Sequence, residues 1–278
     1  MSNLIFDGHI HIMDVKELAK ECFIRSSTEN GIAGGIIISP PPQNFGNTVT
    51  EDDYAVRIAD VLRFCAGEKN YYPFFWIDPI AGNAAEQVSQ AIAGGVAGFK
   101  IICDRFLPSD PVAMATYRRI AEQNKPILFH SGILWDGKAS SKNNRPCEFE
   151  NLLEIPRLRF ALAHIAWPWC DELIALYGKF LHAARRHPDI TPEMFIDTTP
   201  GTPPIYRREA LTKVFTIGYN VADNVFWGSD TTPEDYHPVS LNEDIAILND
   251  LGVNEQSIEC YCSQNLQRFV LGFAPSSR

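Results

Sequence analysis

Four histidines and one aspartate of this sequence are of residue types, and at spacings, that could bind a metal ion. His9 and His11 are two positions apart, so their side chains project from the same face of an extended segment. His130, His164 and Asp230 each follow a separate run of apolar residues. Imidazole nitrogens and a carboxylate oxygen form a ligand set that suits Zn²⁺, Mn²⁺ or Fe²⁺. We therefore expect a divalent metal to bind His9, His11, His130 and Asp230.

Eight short apolar runs supply the elements that must position these side chains. Buried parallel strands read as continuous apolar runs because helices cover their outer faces. Consecutive runs begin roughly 25 to 37 residues apart, which leaves room for one helix and two loops in each unit. The predicted strands are Leu4–Phe6, Gly35–Ile38, Tyr72–Ile77, Ala97–Ile102, Ile127–Phe129, Arg159–Ala163, Met194–Ile196 and Val225–Trp227.

Repetition of these strand–helix units predicts a single closed (β/α)8 TIM barrel formed by residues 1–278. An open doubly wound sheet and two smaller α/β domains are the alternatives, but an open sheet usually has fewer strands and no linker divides the chain. In such barrels the loops after the strand C-termini build the active site. Three helices are predicted from their boundary residues. A capping box at Thr50–Asp53 precedes the helix Tyr54–Cys65. Asn83 precedes the helix Ala84–Ala93, which Gly94-Gly95 can end, and Asp110-Pro111 begins a helix that ends at Glu122.

Five motifs also follow one another in a recognisable order: Phe6–His11, Phe99-Lys100, Leu128–His130, Leu162–His164 and Trp227–Asp230. In them the chain resembles the amidohydrolase superfamily, and most closely its amidohydrolase-related (amidohydrolase 2) branch of metal-dependent hydrolases and decarboxylases. The resemblance implies a distorted (β/α)8 barrel with one or two divalent metals at the strand C-termini. It also implies that the histidines of the first and fifth strands bind metal, and that the aspartate of the eighth strand is both a ligand and the general base.

On this resemblance, catalysis is assigned to Asp230 and His164. A bound metal, expected as one Zn²⁺ rather than two ions, with Mn²⁺ or Fe²⁺ as alternatives, would lower the pKa of its water from 15.7 towards ~7. Asp230 would accept the water proton, and His164 would polarise the scissile carbonyl, stabilise the oxyanion or ligate a second metal. Lys100 is a candidate bridging ligand, because a carbamylated fourth-strand lysine bridges two metals in binuclear relatives; a buried, unmodified lysine paired with a carboxylate is the alternative.

Two arginines and two tryptophans in the expected active-site loops are candidates for substrate binding. Arg105 and Arg145 could each hold a substrate carboxylate bidentately, with ordinary ion pairing as the alternative. Trp135 and Trp167 could form an aromatic wall that favours a flat substrate, with simple packing as the alternative. Asp197, at the end of the seventh strand, could orient a metal-binding histidine or cap the following turn.

The charge balance and the apolar pattern exclude several classes of function. The chain has 24 Lys and Arg residues against 34 Asp and Glu residues, a formal net charge of −10, and no basic run, so nucleic acid is not an expected partner. No stretch approaches the ~20 apolar residues that span a bilayer, and the start lacks a signal-like segment. The seven cysteines contain no CxxC pair. We expect a cytoplasmic protein with a small-molecule substrate, and assembly into a homo-oligomer stays open.

These features favour a metal-dependent hydrolase of a small organic amide, ester or lactone that uses a metal-activated water. The first alternative is a nonoxidative, metal-dependent decarboxylase of an aromatic or enol carboxylic acid, since the same branch contains such lyases. The second is a barrel without catalysis that binds a metabolite. The presence of all five site residues argues against this last alternative, because a degenerate site would be expected to lose at least one of them.

Overall fold

The computed structural model describes residues 4–13, 17–42, 53–216 and 218–272, and within them eight parallel strands form one sheet. Each strand pairs with the next along the chain, from the first to the eighth. The strands are β1 Ile5–His11, β2 Ile32–Ile38, β3 Tyr71–Trp76, β4 Gly98–Ile101, β5 Ile127–Phe129, β6 Arg159–Leu162, β7 Glu193–Asp197 and β8 Val225–Phe226. Beyond β8 the chain bonds back to β1, where Gly8 N donates to Trp227 O at 3.0 Å and Asp230 N donates to His9 O at 2.9 Å.

Helices follow most strands, so the predicted (β/α)8 TIM barrel is confirmed. They are α1 Glu17–Glu29, α2 Tyr54–Cys65, α3 Ala84–Gly94, α4 Pro111–Glu122, α5 Cys170–Arg186, α6 Pro204–Thr216, α7 Val239–Asp250, α8 Glu255–Glu259 and α9 Asn265–Leu271. After β5 the α-helix is replaced by two 3₁₀ segments, Ser141–Asn144 and Pro146–Glu154. In the part of the chain that the structure describes, no helix has the length and apolar character needed to cross a membrane.

The first strand is longer than the predicted Leu4–Phe6, and that prediction is wrong at its C-terminal end. β1 continues to His11, so His9 and His11 lie within the strand rather than after it. The apolar pattern missed this extension because Asp7 and His9 are polar, yet both are buried. Asp7 Oδ1 accepts hydrogen bonds from the backbone N of His9 and of Ser229, which ties β1 to the segment after β8. The pairing with β2 is irregular between Asp7 and Ile10, as is common beside active sites.

The helix boundaries follow the expected capping chemistry in part. Asp110 accepts hydrogen bonds from Val112 N and Ala113 N and so caps α4, as predicted. Gly95 ends α3 in the left-handed conformation, with a φ of 97°. Asn83 precedes α3 without a side-chain capping bond, because its Oδ1 accepts from the Gln87 amide instead. Of the capping box before α2, residues 50–52 lie outside the described residues.

The barrel interior is filled below the strand C-termini. Alternate strand residues such as Ile36 and Ile38 face an inner apolar cluster, whereas Ile37 packs with the surrounding helices. Helix α9 closes the opposite end, where the fully buried Phe269 ring packs between Phe195 and Phe226 at centroid distances of 5.2 and 5.3 Å. Since that end is plugged, a ligand can approach the interior from the C-terminal mouth.

Candidate active site

A cavity of about 750 Å³ opens at the C-terminal mouth of the barrel. Its floor consists of six polar residues from five strands or the loops that follow them: His9, His11, Lys100, His130, His164 and Asp230. Sequence reasoning named all six as site residues, because each lies in a strand or directly after one. The structure brings all six to one cavity.

Three of the floor residues place ligand atoms close enough to share one ion. The Nε2 atoms of His9 and His11 lie 3.0 Å apart, and Asp230 Oδ1 lies 3.7 and 3.6 Å from them. These atoms fall within 4.8 Å of one another, and among the described residues no other group of three such side chains does so. The joint position of residues more than two hundred positions apart depends on the contact between β1 and the end of β8.

Asp197 determines which nitrogen of His9 faces the cavity. Its Oδ2 lies 2.8 Å from His9 Nδ1, and its Oδ1 accepts hydrogen bonds from Thr199 N, at 2.7 Å, and from Thr199 Oγ1. Burial, together with the Lys100 and His164 charges, holds the pKa of His9 well below its ordinary value, so His9 is neutral and the contact is a hydrogen bond rather than an ion pair. The His9 proton therefore lies on Nδ1, and Nε2 presents a lone pair.

The environment of His11 fits a bound cation. Burial holds the pKa of His11 well below its ordinary value, so this ring is neutral as well. Its Nδ1 is buried without a hydrogen-bond partner, while its Nε2 faces the lone pair of His9 Nε2. Whichever nitrogen of His11 holds the proton, one polar atom is left unsatisfied or two lone pairs face each other. A divalent cation that accepts both Nε2 lone pairs and the Asp230 carboxylate removes the repulsion, so the residues present fit a divalent metal ion.

Asp230 has the backbone strain often found at functional residues. Its φ is 57°, in the left-handed region that non-glycine residues rarely adopt. Burial raises the pKa of Asp230 above its ordinary value, and the Lys100 charge opposes this increase. A carboxylate with a raised pKa is a stronger proton acceptor than an ordinary one near neutral pH.

Lys100 reaches the floor although it lies inside β4. The side chain is fully buried, and its Nζ lies 3.2 Å from His9 Nε2. Burial lowers its pKa, while the charges of Asp197 and Asp230 raise it. Lys100 therefore reaches the other floor residues from within β4, and its role as a bridging ligand stays a prediction.

The remaining histidines line the cavity but point one ring nitrogen at the backbone. His130 Nε2 donates to Ile133 O at 3.2 Å, and this residue is not part of the three-residue group. His164 Nδ1 donates to Pro200 O at 3.0 Å, and burial lowers the pKa of His164 to about 4. A Cβ on Gly201 would lie 2.8 Å from the His164 Cβ, so glycine permits this approach. In this tautomer His164 Nε2 offers the cavity a lone pair, whereas polarising a carbonyl would need an N–H.

The structure does not bring the two predicted arginines to the cavity. Arg105 pairs with Asp78 and with Asp104, and Arg145 pairs with Glu172 at 2.8 Å. Neither is among the residues that line the cavity, so the alternative of ordinary ion pairing describes both arginines.

The predicted tryptophans have different positions. Trp135 lines the cavity and is 78% exposed. Trp167 is not among the lining residues and stacks on Tyr206 at a centroid distance of 6.0 Å. Sequence reasoning missed Trp76, whose ring lies 5.3 Å from the His11 ring. Its position at the end of β3 was the signal that could have identified it.

Comparisons with known proteins agree with this geometry. A sequence profile described as Amidohydrolase matches residues 41–270. A search of curated proteins gives no match. Among solved structures, a probable 2-pyrone-4,6-dicarboxylic acid hydrolase from Acinetobacter baumannii is similar, with 14% identity, a TM-score of 0.61 and coverage of 97% of this chain and 99% of that one.

Two further solved structures are similar at comparable levels. Dihydroorotase from Campylobacter jejuni has 16% identity and a TM-score of 0.60, over 99% of this chain and 85% of that one. An amidohydrolase 2 from Bifidobacterium longum subsp. infantis has 15% identity and a TM-score of 0.53, over 96% of this chain and 98% of that one. At these identities the likeness shows the shared barrel fold.

Proposed function

Because this chain belongs to the amidohydrolase family, we propose that it is a hydrolase that uses a divalent metal to cleave an amide, ester or lactone in a small organic substrate. Family membership supports an enzyme of the amidohydrolase superfamily in general. The observation that supports the metal-dependent reaction is the convergence of His9 Nε2, His11 Nε2 and Asp230 Oδ1 at one point of the cavity floor.

His9, His11 and Asp230 would hold the metal, and Zn²⁺ suits this nitrogen and oxygen set. A divalent ion bound there supplies Lewis acidity, which polarises a carbonyl and makes a water molecule more acidic. Asp197 keeps the His9 proton on Nδ1 and so keeps the Nε2 lone pair available. We propose one ion, because only these three side chains of the described part form such a group.

Asp230 would also move the proton in the reaction. Its raised pKa suits a group that accepts a proton from water and later donates it to the leaving group. His164 Nε2, which offers a lone pair, would accept a hydrogen bond from the attacking water or from a substrate N–H or O–H and thereby orient it. His130 keeps its Nε2–H on Ile133 O, so its Nδ1 carries a lone pair and would serve as a further ligand or substrate contact.

Replacing Asp230 with Asn tests the proposal. With Zn²⁺ in excess the variant should retain most of its metal, because His9, His11 and the amide oxygen of the introduced side chain remain as donors, and it should lose about 10²–10⁴-fold in turnover, the usual contribution of a general base. The matched control is Asp235→Asn, which changes a carboxylate in the same loop region that is 86% exposed and outside the cavity lining. Metal content by mass spectrometry and turnover on an amide, ester and lactone panel are measured together. Normal turnover by D230N would contradict the assignment.

A lyase is the second candidate, and the position of Lys100 favours it. A buried ammonium 3.2 Å from His9 Nε2 could hold a substrate carboxylate beside the metal, as a decarboxylase requires. Release of CO2 from an aromatic or enol acid panel, without hydrolysis of esters or lactones, would favour this candidate. Tight metal binding without turnover on either panel would instead support a metabolite-binding barrel.

A further inference from the structure

The outer wall of the cavity is apolar, in contrast to its polar floor. We define this wall as Ile133, Leu134 and Trp135. Ile133, Leu134 and Trp135 are consecutive in the loop after β5, and Trp135 is 78% exposed. A large aromatic ring left in water beside a cavity is a feature of surfaces that contact a ligand.

The charges around this wall disfavour an anionic group. Asp136 lines the cavity, and its Oδ1 accepts hydrogen bonds from Lys138 N and Ser140 Oγ. Its Oδ2 is buried, and among the described residues it has no hydrogen-bond partner. A substrate carboxylate placed against the wall would meet a negative charge in a partly dry setting.

The cations that could offset the Asp136 charge are paired with other residues or exposed to solvent. Arg105 and Arg145 are paired with acidic residues outside the cavity lining. Within the described lining the cations are Lys100, on the floor, and Lys138, whose side chain is exposed to solvent at the rim. An exposed lysine attracts an anion weakly, because water screens its charge.

We propose that the outer wall selects a substrate whose group beyond the scissile bond is flat, apolar and free of negative charge, such as an aryl ester, aryl lactone or anilide. This inference rests on the proposed hydrolase function for the position of the scissile bond. Trp135 contacts the flat group, and Asp136 excludes carboxylated analogues.

A matched pair of esters tests the proposal in the metal-loaded enzyme. 4-Acetylphenyl acetate and 4-acetoxybenzoate each contain one scissile ester, the same acetyl ester, and differ in whether the far end of the ring is neutral or anionic. We expect kcat/KM to be about tenfold higher for the neutral ester, because the Asp136 charge would repel the carboxylate of the anionic ester. Equal values, or a preference for the carboxylate that is lost in Lys138→Gln, would overturn the proposal.

Two variants separate the contribution of the ring from that of the charge. Trp135→Ala should raise KM for the neutral aryl ester about tenfold with little change in kcat. The KM for ethyl acetate, which has no ring, should stay unchanged. Asp136→Asn keeps the Oδ1 acceptor of the loop and should raise kcat/KM for the carboxylated ester about fivefold without changing the neutral one. The control is Ile205→Ala, which removes an 84% exposed apolar side chain outside the lining. Wild-type values in both test variants would refute the inference.

Direct binding distinguishes failure of this inference from failure of the proposed function. The probes are 2-naphthol and 6-hydroxy-2-naphthoate, which have no scissile bond, with affinity measured by calorimetry. We expect W135A to weaken 2-naphthol binding about tenfold and D136N to strengthen binding of the naphthoate alone. If no ester is cleaved but these shifts occur, the hydrolase proposal fails and the selective wall stands. If esters are cleaved and the shifts are absent, the wall proposal fails alone.

Discussion

Asp197→Asn should weaken metal binding while leaving the fold intact. Asp197 is fully buried, with Oδ2 on His9 Nδ1 at 2.8 Å and Oδ1 on Thr199 N at 2.7 Å. An asparagine side chain whose oxygen stays on Thr199 turns its NH2 towards His9 Nδ1. That N–H donor needs an acceptor, so the proton of His9 moves to Nε2 and its lone pair no longer faces the floor.

The opposite orientation of the introduced amide does not rescue the site. With its oxygen on His9, the amide would direct its NH2 at the Thr199 N–H, and two donors would face each other in a buried place. Loss of a carboxylate behind a ligating histidine typically costs 10–100-fold in metal affinity, which corresponds to about 1.4–2.7 kcal/mol. Unfolding of the metal-free protein should change by about 1 kcal/mol or less, because a buried negative charge is removed together with its hydrogen bonds.

Competition with a chromophoric chelator measures the Zn²⁺ affinity, and urea denaturation of the metal-free protein measures stability. Thr199→Val is the graded control, because it removes the Oγ1 donor to Asp197 and keeps the backbone donor. It should reduce affinity by less than tenfold. Wild-type Zn²⁺ affinity in D197N, with the fold retained, would refute the claim that Asp197 orients His9.

Two further predictions concern stability. Phe269→Ala should lower the free energy of unfolding by about 3–5 kcal/mol in urea denaturation, because it empties the plugged end of the barrel, and Zn²⁺ affinity of the folded variant should not change. Burial would raise the pKa of Glu172, but hydrogen bonds led by that from Arg145 outweigh it and the pKa is lowered. The stability that the ionised Glu172 contributes is therefore complete above its ordinary pKa and is lost as the pH falls through its lowered pKa. Thermal melts below about pH 4.5 should show a larger loss of stability in wild type than in Glu172→Gln.

The barrel and the floor could be predicted because they depend on short, regular signals. Buried parallel strands are apolar throughout, and strand C-termini converge on one mouth, which is enough to group His130, His164 and Asp230. The length of β1 could not be read in this way. Asp7 and His9 are buried through hydrogen bonds to distant partners, and an apolar-run criterion does not detect them.

Side-chain direction was the part that sequence could not supply. Arg145 follows the fifth strand as a substrate-binding residue would, but Glu172 lies close enough in the fold to take its guanidinium. Likewise, His164 points its N–H at Pro200 O because of a loop contact, which changes the chemistry it can offer the cavity. These partners are 27 and 36 residues away, and sequence spacing does not reveal their proximity.

The most direct test of the metal site is anomalous X-ray scattering at the zinc edge from crystals grown with Zn²⁺. We predict a single strong peak at the mouth of the barrel, about 2 Å from the Nε2 atoms of His9 and His11 and from an Asp230 oxygen. A fully folded protein with no peak at that point, or with zinc bound only by other residues, would contradict this prediction.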